Sequence, residues 1–282
     1  MDLCDRKTIQ DLLSRHGFRF SKALGQNFLI DPGVPAGLVE GAEISQENGV
    51  LEIGPGIGPL TLRLSDAAAK VVAVELDRSL LPILAETLAG RDNVEILLGD
   101  ILKLDLADLV EKKFSGLTPM ACANLPYNIT TPVLTALIEC RRFVRITVMI
   151  QREVARRICA APGTPDYGAF SVYCQYHTEP ELLFDVAPEC FIPAPKVTSS
   201  VIRMTPRSAP PEGVSDQRAF FRVVRAAFGQ RRKTLLNALS AGLGLDKEQV
   251  RCAIYRCDLP ETIRGERLGI PEFAALVREL EL

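Results

Sequence analysis

Histidine is scarce in this 282-residue chain, with only His16 and His177, and none of its eight cysteines forms a C-x-x-C pair. Zinc sites are built from closely spaced Cys and His ligands, so no metal site is expected. The dispersed cysteines read as small apolar residues kept reduced, and no basic partner is evident that would make one a catalytic thiol. Long apolar runs are missing too. No stretch approaches the roughly 20 residues of a membrane span, and the opening MDLCDRKTIQDLLSRHG lacks the apolar centre of a signal peptide. A cytoplasmic protein without membrane association is therefore expected. Neither charge sign dominates, 33 Lys and Arg standing against 35 Asp and Glu, which argues against an indiscriminate polyanion binder. With 47% hydrophobic and 24% charged residues, the composition excludes wholesale disorder, and the length suits one large or two moderate domains.

From Val50 to about Thr205, short apolar runs alternate with helix-like stretches, the rhythm of βαβ units around a mainly parallel sheet. The runs at 50–54, 71–76, 94–100, 120–125 and 146–151 are strand candidates; 59–66, 79–89, 104–112 and 131–140 are helix candidates, the last with Thr131 as cap before Pro132. The segment TPRSAPPEGVSD (205–216) concentrates Pro, Ser and Gly, and helical spacing alone follows, over 216–229, 231–242, 246–257 and 271–281. The expectation is an α/β domain over 1–205 and a small helical domain over 206–282.

Glu52-Ile53-Gly54-Pro55-Gly56-Ile57-Gly58 follows an apolar strand and precedes a helix, where glycines let a ligand approach the backbone closely. The next strand ends near Glu75, placed to accept both hydroxyls of a ribose. That pair alone would suit a dinucleotide or S-adenosylmethionine. The dinucleotide fingerprint G-x-G-x-x-G wants its third glycine where this chain has Pro59, and E-x-G-x-G-x-G is the form of S-adenosylmethionine-dependent methyltransferases. The third strand ends at Asp100, a candidate acceptor for an adenine amine. The fourth ends Asn124-Leu125-Pro126-Tyr127. Methylating an exocyclic aromatic amine is hard because the lone pair is delocalised into the ring; the Asn124 oxygen and a backbone carbonyl beside Pro126 could accept its hydrogens and favour a pyramidal nitrogen. Tyr127 would give the base a stacking face, worth on the order of 1 to 3 kcal/mol.

These motifs resemble the small-subunit ribosomal RNA adenine N6,N6-dimethyltransferases, with the erythromycin-resistance rRNA methylases as relatives. The resemblance runs from Lys22-Ala23-Leu24-Gly25-Gln26-Asn27-Phe28-Leu29 through EIGPGIGPLT, VVAVELD, GD and NLPY to Phe191-Ile192-Pro193-Ala194-Pro195-Lys196-Val197 and Phe228-Gly229-Gln230-Arg231-Arg232-Lys233. It implies a class I, Rossmann-like methyltransferase domain with a C-terminal helical domain, and a cofactor site of Gln26, Asn27, Leu29, Gly54, Gly56, Glu75, Asp100 and Asn124. Asn124, Leu125, Pro126, Tyr127 and Phe191 would be catalytic, with Tyr127 and Phe191 sandwiching the target adenine. It further implies dimethylation of two adjacent adenines in a hairpin near the 3′ end of 16S rRNA in the 30S subunit, by a monomer. Competing readings are a large-subunit resistance methylase, a non-catalytic assembly factor and a nicotinamide dehydrogenase, the last disfavoured by the glycine spacing.

Charge is unevenly spread. Residues 31–120 carry a net −8, whereas Arg141, Arg142, Arg145, Arg152, Arg156 and Arg157 form one basic cluster and Arg218, Arg222, Arg225, Arg231, Arg232 and Lys233 another. Arg218, Arg222 and Arg225 share one helical face. Next to an adenine-type site these clusters, with Arg141, Arg142, Arg222, Arg225, Arg231, Arg232, Lys233 and Lys196 as named candidates, are expected to meet RNA phosphates.

Overall fold

The structure, a computed structural model, describes residues 1–21, 24–230 and 232–282. In chain order the elements are α1 (Arg6–Arg15), β1 (Phe28–Leu29), α2 (Gly33–Ala42), β2 (Asn48–Ile53), α3 (Pro59–Ala67), β3 (Lys70–Glu75), α4 (Leu81–Thr87), β4 (Val94–Leu98), α5 (Leu106–Lys113), β5 (Thr118–Asn124), α6 (Thr130–Cys140), β6 (Arg145–Gln151), α7 (Arg152–Cys159), α8 (Ala169–His177), β7 (Thr178–Val186), β8 (Phe191–Ile192), β9 (Ser199–Pro206), α9 (Gln217–Gly229), α10 (Leu235–Leu243), α11 (Lys247–Arg256) and α12 (Ile270–Glu279). Seven strands form one sheet in the order β4-β3-β2-β5-β6-β9-β7. The five expected strands are its parallel members, and β9 joins β6 antiparallel. The chain winds outward from β2 in both directions, so the carboxyl ends of β2 and β5 flank the switch in strand order, the place where open α/β sheets bind ligands.

The apolar runs become central strands because both of their faces are covered. Val50, Val71, Met120, Cys122, Met149 and Val201 pack with Leu38 of α2 and Leu60 and Leu64 of α3. Elsewhere Ile9, Leu12 and Leu13 of α1 bury against Phe28, Ile57, Leu80, Ile83 and Leu84, so the N-terminal helix is anchored next to the glycine loop. The expected cap at Thr131 is not used. A tight turn over Tyr127–Ile129 runs straight into α6, which begins at Thr130, and the Thr130 hydroxyl donates to the Pro126 carbonyl at 3.2 Å.

Two compact units result, Met1–Ala155 with Glu181–Pro206, and Arg156–Pro180 with Arg207–Leu282. The second differs from a single cut at 205/206 by taking in α8. Tyr176 of α8 meets Phe220 and Phe221 of α9 at 5.1 and 4.8 Å between ring centres, and Val172 is buried in the same core as Val223, Leu239, Ile254 and Phe273. An aromatic face on a nine-residue helix has to be covered, and here α9 covers it. The side chains of Asp216, Thr234 and Asp246 cap α9, α10 and α11 by accepting from backbone amides of the first turn.

Candidate active site

One pocket opens at the carboxyl edge of the sheet, lined by residues 24–29, 52–57, 74–76, 99–101 and 124–129 together with Pro59, Leu60 and Leu80. Every residue of the expected cofactor set lines it, as do Leu125, Pro126 and Tyr127. The glycine loop makes close approach possible. Gly54 and Gly56 adopt φ of 67° and 62°, and a Cβ on Gly56 would stand 3.1 Å from the Phe28 ring, so a larger residue would be strained and would push on the pocket wall.

Glu75 ends β3 and is 6% exposed. Its Oε1 accepts from the Asp77 amide at 2.8 Å and its Oε2 from the Gly56 amide at 3.4 Å. Burial pushes its carboxyl above the usual range, and the amide donors from Asp77, Gly56 and Leu76 oppose that shift. Asp100, beyond β4, accepts from the Leu102 amide at 3.1 Å, with Lys103 Nζ 3.7 Å from its other oxygen. Asn124 is the last residue of β5, and the following Leu125 amide donates to the Met149 carbonyl at 3.1 Å, which fixes the peptide entering Pro126. Tyr127 is held by a 2.6 Å hydrogen bond between its hydroxyl and Ser199 Oγ.

The donor set tests the cofactor. Among the described residues the lining contains three carboxyls, Glu52, Glu75 and Asp100, and no Lys, Arg or His. A wall of acceptors suits a ligand bearing ribose hydroxyls, an adenine amine and a positive sulfonium, and would repel a bare anion. S-adenosylmethionine fits: Glu75 would take the ribose, Asp100 the adenine amine, and Gly54 and Gly56 the closest backbone approach.

Two expected residues take other places. Phe191 does not line the pocket; it is 1% exposed and packs with Val34, Leu38, Val186 and Val201. It stands opposite Leu29 in the two-stranded β1–β8 ladder, and both side chains enter the same buried cluster. Of the two expected stacking residues only Tyr127 lines this pocket, and Phe28 is the other aromatic residue in its wall. Gln26 is at the pocket, but both ends of its carboxamide bond to protein, with Oε1 accepting from the Ser21 amide at 2.9 Å and Nε2 donating to Asp77 Oδ2 at 2.7 Å. Asn27 donates to the Gly25 carbonyl at 3.1 Å. Sequence reasoning passed over Glu52 as a pocket residue, although the motif contained it, and over Phe28, Ile57 and Ile129, which carry no signal beyond being apolar.

Of the basic candidates, Arg141, Arg142 and Lys196 are exposed in the first unit and Arg222, Arg225, Arg232 and Lys233 in the second. Arg231, with Lys22 and Ala23 of the N-terminal motif, lies outside the described residues. Arg218, Arg222 and Arg225 occupy the outer face of α9, opposite the buried Phe220, Val223, Val224 and Ala227. No helix among the described residues is long and apolar enough to cross a membrane, and none of their His, Cys, Asp and Glu side chains are grouped to hold a metal.

The model of the ribosomal RNA adenine dimethylase family matches residues 17–262. A ribosomal RNA small subunit methyltransferase A from Alkaliphilus oremlandii is 46% identical over 276 residues, covering 97% of this chain and 96% of that protein. A protein of the same name from Geobacillus thermodenitrificans is 47% identical over 284 residues, covering 99% and 97%. Among solved structures, a dimethyladenosine transferase from Plasmodium falciparum superposes with a TM-score of 0.76 at 24% identity over 90% of this chain and 97% of that one, a likeness of fold. The 23S rRNA methyltransferase ErmE gives a TM-score of 0.69 at 25% identity over 91% and 100%.

Proposed function

The chain belongs to the ribosomal RNA adenine dimethylase family, and we propose that it dimethylates N6 of two adjacent adenines in a hairpin near the 3′ end of 16S rRNA, within the 30S subunit, as a cytoplasmic monomer using S-adenosylmethionine. The observation that carries this reading is that Asn124, Leu125, Pro126 and Tyr127 open onto the same pocket as Gly54, Glu75 and Asp100. An amine acceptor set and a cofactor cradle then share one cavity, which is what a direct transfer requires.

Bound there, S-adenosylmethionine supplies an electrophilic methyl group on its sulfonium. The chain's own work is alignment. Asn124 Oδ1 and the Leu125 carbonyl accept the two amine hydrogens and turn the lone pair toward the cofactor. Tyr127, its hydroxyl fixed on Ser199, offers its ring to a base lifted out of its stack, offsetting an unstacking cost of a few kcal/mol. No side chain has to act as a general base, because the amine proton can leave to solvent after transfer. The exposed Arg141, Arg142, Lys196, Arg222, Arg225, Arg232 and Lys233 contact phosphates, and Arg231 is assigned with them from its place in the sequence.

Labelled S-adenosylmethionine supplied with unmethylated 30S particles, 50S particles and free RNA, followed by nucleoside analysis, tests the substrate. Dimethyladenosine should appear in the 30S sample. Its absence there and presence in large-subunit RNA would refute the assignment.

A further inference from the structure

Residues 24–29 form one wall of the cofactor pocket, and, besides the β1–β8 ladder at Phe28 and Leu29, two kinds of side-chain contact hold the segment that carries them. On the apolar side, Phe18, Phe20 and Phe28 cluster with ring centres 5.1 to 5.7 Å apart. On the polar side the contact is Gln26. It bridges the Ser21 amide, before the wall, to Asp77, just beyond the end of β3. Asp77 in turn donates its backbone amide to Glu75 Oε1 at 2.8 Å, while its Oδ1 accepts from the Ser79 amide at 2.9 Å and the Ser79 hydroxyl at 2.6 Å. Glu75 completes the chain by accepting from the Gly56 amide of the glycine loop. A continuous run of hydrogen bonds thus joins the N-terminal wall, the ribose-side carboxylate and the glycine loop.

We propose that the Gln26–Asp77 pair is a clasp that sets the cofactor pocket, and that Gln26 is a positioning residue acting through Asp77 and Ser21. The pair is polar in a definite sense. Asp77 is acceptor-only when ionised, as the two donors from Ser79 and the one from Gln26 require. Burial works to raise its carboxyl, and the bonds from Ser79 and Gln26 outweigh burial and hold it below the usual range. Gln26 has to present its NH2 to Asp77 because its oxygen is taken by the Ser21 amide. Both side chains are only half exposed, so water competes weakly for either bond. Without the clasp, the wall would still be tethered by Phe28 and α1, and the cost would fall on the precision of the pocket and not on the fold.

The inference rests on the cofactor assignment, and the direction of the hydrogen bonds gives a test separable from it. Gln26→Glu sets two carboxylates against each other; Asp77→Asn sets two amide NH2 groups against each other. The double variant Gln26→Glu with Asp77→Asn reverses the polarity and satisfies every partner again: the carboxylate now at position 26 accepts from the Ser21 amide and from the new carboxamide at position 77, whose oxygen still accepts from Ser79. Calorimetric titration with S-adenosylmethionine should show each single variant weakened about tenfold or more, the scale of one lost charge-assisted bond, and the double variant restored to within about threefold of the parent. Thermal melting of the ligand-free proteins should be nearly unchanged throughout. Single variants that bind like the parent would overturn the inference. So would a folded double variant whose loss equals the sum of the single losses, and if a single variant does not fold, the double variant alone decides. Failure of the parent chain to bind, or unchanged binding in Glu75→Ala, would instead overturn the cofactor site itself.

Discussion

Glu52→Gln should stabilise the ligand-free protein by an amount that grows with pH. Glu52 is 1% exposed on β2 and Oε2 lacks a hydrogen-bond partner. Among the described residues the titratable groups that act on it or feel it are Glu75 on β3 and the Cys122 thiol on β5, with the Thr61 hydroxyl of α3 beside it. Burial pushes its carboxyl up to about 8, the Glu75 charge adds to the rise, and Thr61 opposes it. At neutral pH Glu52 is therefore protonated in the fold and ionised in the unfolded chain, whose carboxyl keeps the ordinary value of 4.5. Because the folded value lies above the unfolded one, the stabilisation from holding this proton is complete below about 4.5. It falls as pH rises and is gone above about 8. The slope in that window is about 1.4 kcal/mol per pH unit, so the loss is roughly 3 kcal/mol between pH 5 and 7 and roughly 5 kcal/mol across the window. Glutamine has the same shape and no proton to lose. Its advantage over glutamate should grow by about those amounts, since carboxyls away from Glu52 titrate alike in both proteins and only groups coupled to it, Glu75 first, differ. Urea unfolding at several pH values, followed by far-ultraviolet circular dichroism because the chain has no tryptophan, gives the difference directly. A difference that stays constant from pH 5 to 8 would show that Glu52 is ionised in the fold, and the reasoning would fail.

Gly56→Ala should weaken S-adenosylmethionine binding and destabilise the fold by about 1 to 3 kcal/mol, from the strained left-handed backbone and the Cβ driven toward Phe28; calorimetry and urea unfolding check the two effects. Asn124→Ala should slow methyl transfer by at least about a hundredfold, a scale typical of losing one aligned acceptor at the reacting group, while RNA affinity by filter binding stays within about twofold. Removing Arg222 and Arg225 together should lower the slope of log affinity against log salt by about 2, roughly 1 for each phosphate contact; an unchanged slope would place RNA elsewhere.

The sheet was legible because its parallel strands are buried on both faces and stand out as unbroken apolar runs such as VVAV and MACA. Once strand ends are located, topology brings Gly54, Glu75, Asp100 and Asn124 to one edge, so that much of the site followed from strand order. What was not legible depended on partners distant in sequence. Gln26 lies 51 residues from Asp77, and nothing local to GQNF says whether its amide serves a ligand or a carboxylate. Phe191 stands among prolines, and only its distant partners Val34, Leu38 and Val201 decide that its ring is buried. Strand β7 mixes exposed and buried positions without clean alternation, as an edge strand can. Helix α8 has an aromatic face whose complement, on α9, comes more than 40 residues later.

Charge shows the same limit from the other side. The first arginine cluster reads as six free cations, yet Arg145 pairs with Glu43 at 2.6 Å and donates to the Ala42 carbonyl, and Arg152 lies 3.7 Å from Asp185. These two are spent on holding the sheet to its surroundings. The second cluster is different, because the spacing that gives Arg218, Arg222 and Arg225 one face of α9 also turns that face away from the buried side of the helix. Among the described residues neither Arg222 nor Arg225 makes an ion pair, so neither would have to break one to meet a phosphate. A net charge near −2 is then compatible with RNA recognition, because affinity depends on which cations are free and on one surface and not on the total.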